Sequence, residues 1–185
     1  MERKEVVDKV RLLMEEMDLK QEDRSVVPPA RQVAEEAQRK KKHPEGIGCG
    51  AAIELKDGNI VTGKNSSLMH ATSALILNAI KELAEIPDKI HLLSPKVIEQ
   101  IGNLKKDILG QKSESLDLEE ILIALSMSAA TNPTAELAMK KLKELEGCEA
   151  HITHIPTPGD EAGLRRLRVN LTTDANFSSK DLFII

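Results

Sequence analysis

Apolar side chains recur every three or four positions over residues 2 to 17. Val6, Val7, Val10, Leu13, Met14 and Met17 fall on one side and Glu, Lys and Arg on the other, which predicts an amphipathic helix. Lys20 to Val27 breaks that period. Pro28-Pro29 then suits a helix start, and Val33, Ala34 and Ala37 carry an inward face on to Lys42. The period changes after residue 48. Gly50 to Leu55 is apolar and short enough for a strand, Asp57-Gly58 is a tight-turn pair, and Ile60-Val61-Thr62 can return as the second arm of a hairpin. Beyond the Asn65-Ser66-Ser67 loop, Ala74, Leu75, Leu77, Ala79, Ile80 and Leu83 restore helical spacing. The remaining elements have to pack around this hairpin and helix.

Ile86-Pro87-Asp88 closes that helix ahead of a strand-like run, Ile90 to Leu93, and Pro95 opens a helix over Lys96 to Leu109. Asp117 caps a helix with Ile121, Leu122, Ala124, Leu125 and Met127 inward. Thr131 to Thr134 interrupts it, and Ala135 to Leu145 forms another helix that Gly147 stops. A strand over Cys148 to Ile155, a short helix over Asp160 to Leu167 and a strand over Arg168 to Thr173 complete the pattern. The alternation predicts an α/β domain: a layered mixed sheet of about five strands with helices on both faces, an N-terminal helix and an inserted helical pair. Residues 1–27 read as the helix and its linker, and residues 28–185 as the domain.

Composition narrows the function classes. In 185 residues, Phe177 and Phe183 are the only aromatics, so the core must be aliphatic. A net charge of -4 and the lack of stacking platforms disfavour nucleic-acid binding. No apolar run has the length of a membrane span and the charged first twenty residues lack a secretory pattern, so a cytoplasmic protein is expected. Cys49 and Cys148 read as buried free thiols rather than zinc ligands, and no cofactor is implied. The basic run Arg39 to His43 complements the C-terminal end of its helix.

Gly58 to Asn65 comes within one residue of a P-loop. However, Ile60-Val61-Thr62 is strand material and Asn65 replaces the hydroxyl that would reach magnesium. Polar groups near the start of the Thr72 to Leu83 helix make a second candidate site. Lys64, Asn65, Ser66, Ser67 and Asn78 could take a phosphorylated small molecule or nucleotide there. Strand alternation sends His151 and His154 to opposite faces, and His91 reads as a core or edge histidine. Glu149, Asp160 and Glu161 flank these positions without a sign in the sequence that they meet.

Zinc deaminases place H-A-E or C-A-E at one helix start and P-C-x-x-C at another, around one ion that activates water. The corresponding segments here are His70-Ala71-Thr72 and Ser94-Pro95-Lys96-Val97-Ile98-Glu99. Threonine stands in the place of the proton-transfer acid, and Lys96 and Glu99 in the places of two thiolates, so no metal is expected. A zinc-independent enzyme using His70, Lys96 and Glu99 would require the three to converge within hydrogen-bond reach.

The run of hairpin, long helix, strand, Ser-Pro and helix resembles the cytidine-deaminase-like fold without its metal site. More closely, GAAIELKDGNIVTGKNSSLMHATSALILNAIKEL, HLLSPKVIEQI, ALSMSAATNPTAELA and GCEAHITHI resemble the C-terminal region of the uncharacterised bacterial family DUF1846 (UPF0371), from about Asp23 onward. The resemblance implies a domain that in family members follows a longer region with a glycine-rich, P-loop-like stretch. That stretch has no counterpart here, so no catalytic residue is carried over. The reading is a non-catalytic module for interaction, oligomerisation or ligand recognition. Its expected partners are a second copy of the chain, the upstream family region or a small-molecule ligand.

Overall fold

The computed structural model describes the backbone of residues 2–40 and 47–178, with side chains over 8–39 and 47–178. Most of the basic run ending at His43 lies outside the described residues. In chain order the elements are α1 (Glu2–Glu16), α2 (Val27–Lys40), β1 (Gly50–Glu54), β2 (Ile60–Lys64), α3 (Ala71–Leu83), α4 (Pro95–Asn103), α5 (Leu118–Ala129), α6 (Pro133–Lys140), β3 (Glu149–Ile152), α7 (Pro158–Arg166) and β4 (Asn170–Thr173). The strands form one mixed sheet in the order β2-β1-β3-β4. β1 is antiparallel to both of its neighbours, and β3 runs parallel to β4.

Alternation along β1 sorts the two faces. Ala51 and Ile53 belong to the main core with Leu75, Ile76 and Ile80 of α3, Leu118, Ile121 and Leu125 of α5, and Leu164 of α7. Ala52 faces the other way, into a small cluster with Val26 and Ala30. Helices thus cover both faces, as the pattern predicts. Gly50 lets α2 lie almost on the strand, because a Cβ there would strike the Ala30 carbonyl and the Ala34 amide. The hairpin forms over Asp57-Gly58, with Gly58 at φ +87.

The structure corrects the sequence reading at several points. The described residues hold four strands, because Ile90 to Leu93 forms none. Ile90 and His91 are exposed and Leu92 and Leu93 buried, which is not the alternation of a strand, and Ser128 Oγ binds the Leu92 carbonyl at 2.7 Å. A loop delivers two leucines to the core instead. The helix over Lys96 to Leu109 ends its α-form at Asn103 and continues as one π turn, Leu104–Ile108. Residues 24 to 27 are not a free linker. Val26 and Val27 are buried, and Arg24 donates to the Ala150 carbonyl at 2.9 Å. On α1, Val10, Leu12, Leu13 and Met17 are exposed. Among the described residues no helix is long and apolar enough to cross a membrane. Cys49 and Cys148 are both buried, and burial raises the Cys148 pKa.

Candidate functional site

Three helix starts meet around one carboxylate. Thr157 caps α7, its Oγ accepting from the Asp160 amide at 3.3 Å, and its hydroxyl donates back to Asp160 Oδ2 at 2.8 Å. Asp160 Oδ1 accepts from the amide of Leu118, the first residue of α5, at 3.0 Å. His70, the residue that precedes α3, places ring Nδ1 2.8 Å from Asp160 Oδ2. Asp160 is fully buried. Burial, the largest single influence, would raise its pKa, but the His70 contact, the Thr157 hydroxyl and the Leu118 amide together outweigh it and hold the carboxyl below its usual range. The positive ends of α5 and α7 favour the same charged state.

Local structure fixes His70. Its amide donates to the Leu116 carbonyl at 2.9 Å, the Leu116 amide donates to the Leu68 carbonyl at 3.0 Å, and Met69 and Leu116 form a parallel bridge. The side chain is 21% exposed, against 0% for Asp160. With Asp160 ionised, Nδ1 carries the hydrogen that it donates, so in the neutral ring Nε2 is left as an acceptor.

His154 stands within electrostatic reach of both groups and is 3% exposed. Burial, opposed by Asp160 and reinforced by His70, lowers its pKa to about 4, and its Nδ1 has no hydrogen-bond partner among the described residues. Asp117 caps α5 in a reciprocal box with Glu120 and packs against Gly159, where any Cβ would collide with its carboxylate. Burial raises the Asp117 pKa, and Glu120 and Asp160 add to that. Among the described residues, no three His, Cys, Asp or Glu side chains are grouped to hold a metal ion.

The residues proposed from sequence separate. Lys96 and Glu99 are exposed on α4 and form no hydrogen bond or ion pair with another described residue, and the ring partner of His70 is Asp160. Lys64 and Ser67 are exposed. Asn65 is spent on structure, accepting from the Cys49 amide and donating to the Ile47 carbonyl, both at 2.9 Å. Ser66 Oγ accepts from the amides of Leu68 and Met69, holding the turn before His70. Asn78 lies further along α3 and donates to the Thr62 carbonyl at 2.9 Å. Asn65, Ser66 and Asn78 thus each carry a structural hydrogen bond. Asp160, Thr157 and His154 were missed as site members. The available signal was Thr157-Pro158-Gly159-Asp160, a helix start whose third residue is a carboxylate.

Comparison with known proteins places this geometry in a family. Residues 22–183 match the family model described as domain of unknown function DUF1846, C-terminal. A UPF0371 protein of Clostridium botulinum (strain Langeland / NCTC 10281 / Type F) is 49% identical over 181 residues, covering 97% of this chain and 36% of the relative. One from Clostridium tetani (strain Massachusetts / E88) is 46% identical over the same shares. The chain thus spans about a third of the length of these relatives, and it belongs to the UPF0371 family, whose DUF1846 C-terminal domain it carries.

Proposed function

We propose that this domain is a ligand-recognition module, non-catalytic on its own, which offers His70 Nε2 to a hydroxyl-bearing small molecule. The rest of the longer family protein completes the site. The observation that carries this is the half-open ring of His70, with Nδ1 committed to a buried carboxylate and Nε2 left over.

A deaminase-like topology belongs to this reading as a comparison of layout. The hairpin followed by a long helix, with His70 at the helix start, supports it. The missing strand at Ile90 to Leu93 removes one of its elements. The test is a titration with ribose 5-phosphate, and with inorganic phosphate as control, following the backbone amides of Met69, Ala71 and Leu118 around the ring by NMR. A saturable shift with the sugar phosphate alone, lost in His70→Ala, is expected. No shift, or one unchanged in the variant, contradicts the reading.

A further inference from the structure

Among the described residues, no strand lies beside β2 on the side that faces away from β1. Leu55–Asn59 and Cys49–Asn65 are bonded positions of the hairpin, so Val61 and Gly63 turn their backbone groups to β1. Ile60, Thr62 and Lys64 turn theirs outward. Of these outward groups, the Thr62 carbonyl takes the Asn78 amide, and it keeps a second lone pair. The others have no hydrogen-bond partner among the described residues.

This edge is one wall of a groove of about 500 Å³, and α3 is the other. Asn78, Lys81 and Glu82 line it from the helix, and Asp88 stands on its rim. Lys81 is 91% covered because its ammonium group is folded onto the Asp88 carbonyl at 2.7 Å, with the Asp88 carboxylate 3.9 Å away. Glu82 is exposed, and no ion pair joins it to another described residue. The charged lining is thus two carboxylates against one ammonium. A strand edge beside a helix is the geometry by which sheets take up an extended peptide, with main-chain hydrogen bonds supplying affinity and the walls reading side chains.

We infer that the β2–α3 groove binds an extended peptide segment, adding it to the sheet as a fifth strand and placing a lysine or arginine side chain against Glu82 and Asp88. The excess of carboxylate in the lining disfavours a second copy of this chain, whose own net charge is -4, so a single basic strand is the occupant.

The test titrates the chain with acetyl-Val-Lys-Val-Thr-Val-amide and follows backbone amides by NMR. Three controls accompany it: the peptide N-methylated at alternate residues, the peptide with norleucine for lysine, and Glu82→Gln protein. Shifts should concentrate at Ile60, Thr62 and Lys64. N-methylation should weaken binding by roughly tenfold or more, because several main-chain bonds are lost together. Norleucine or Glu82→Gln should weaken it by roughly two- to fivefold, the worth of an exposed ion pair. Three outcomes would overturn the inference: absence of these shifts at millimolar peptide, equal binding of the N-methylated peptide, or the same shifts on raising protein concentration alone. The last would assign the edge to a second copy of the chain.

Discussion

Among the described residues the domain holds two histidine–aspartate pairs, and they differ in what else holds the aspartate. His151 on β3 lies 3.4 Å from Asp174 through Nε2, not aligned as a hydrogen bond, and 3.0 Å from Thr172 Oγ through Nδ1. Asp174 is already gripped by Arg31, with Nε at 3.1 Å and a terminal nitrogen at 2.8 Å, and that contact lowers its pKa. Burial lowers the His151 pKa against the pull of Asp174, and Arg31 and Arg24 reinforce it. Its side chain is only 4% exposed. The pair belongs to the seam by which Arg24 and Arg31 fasten the α2 face to β3 and β4. Asp160 is gripped by no arginine. One backbone amide, a hydroxyl and one half-open imidazole satisfy it. An aspartate shared with arginine builds a joint, whereas one whose ring partner is a surface-facing histidine orients that ring.

The comparison can be broken most directly at the carboxylates. Asp160→Ala should cost about 3–5 kcal/mol in urea unfolding, because it strands the Leu118 amide, the Thr157 hydroxyl and the His70 ring at a buried point. Asp174→Ala should cost about 1–2 kcal/mol and depend on salt, since its arginine is partly solvated. Equal costs would erase the distinction.

Acid should separate the two faces next. The folded His154 pKa, about 4, lies below the ordinary histidine value. The unfolded chain therefore binds the extra proton, and stability is full above about pH 6.5 and falls from there toward pH 4. The loss is on the order of 3 kcal/mol at its limit. Asp160 and Asp174 act in the same direction lower down, their contribution being lost only as pH falls through their depressed folded values. His154→Leu should remove most of the loss between pH 6.5 and 4 while changing stability at pH 7 by under about 1 kcal/mol, since it discards an unpaired buried nitrogen. Thermal melts across this range provide the check.

The smallest stability effect should come from His70 itself. His70→Gln should cost about 1 kcal/mol or less, because the chain turn at residue 70 is held by its backbone amide. It should nevertheless abolish the sugar-phosphate response. A cost as large as that of Asp160→Ala would make His70 a structural residue like His151.

Much of this fold was legible because its signals are local. Asp57-Gly58 set the hairpin, Asp117 and Glu120 the capping box of α5, and Gly147, at φ +78, the end of the helical region before β3. Ile90 to Leu93 misled because a short apolar run has no period of its own, so packing alone decided its form. Asp160 was invisible as the partner of His70 because ninety residues separate them. Only the convergence of α3, α5 and α7 on one point brings them together. β3 ends at Ile152, short of the strand expected to run on to Ile155, so strand parity does not reach His154. Nothing local could show that His151 and His154 would each meet a different aspartate.

The tautomer of His70 tests the central claim most directly. In a long-range proton–nitrogen correlation spectrum taken well above pH 7, where an ordinary histidine ring is neutral, the account predicts a protonated Nδ1 and a bare Nε2. The pattern should collapse toward the commoner Nε2–H form in Asp160→Asn. A ring that carries its hydrogen on Nε2 in the unaltered chain would contradict it.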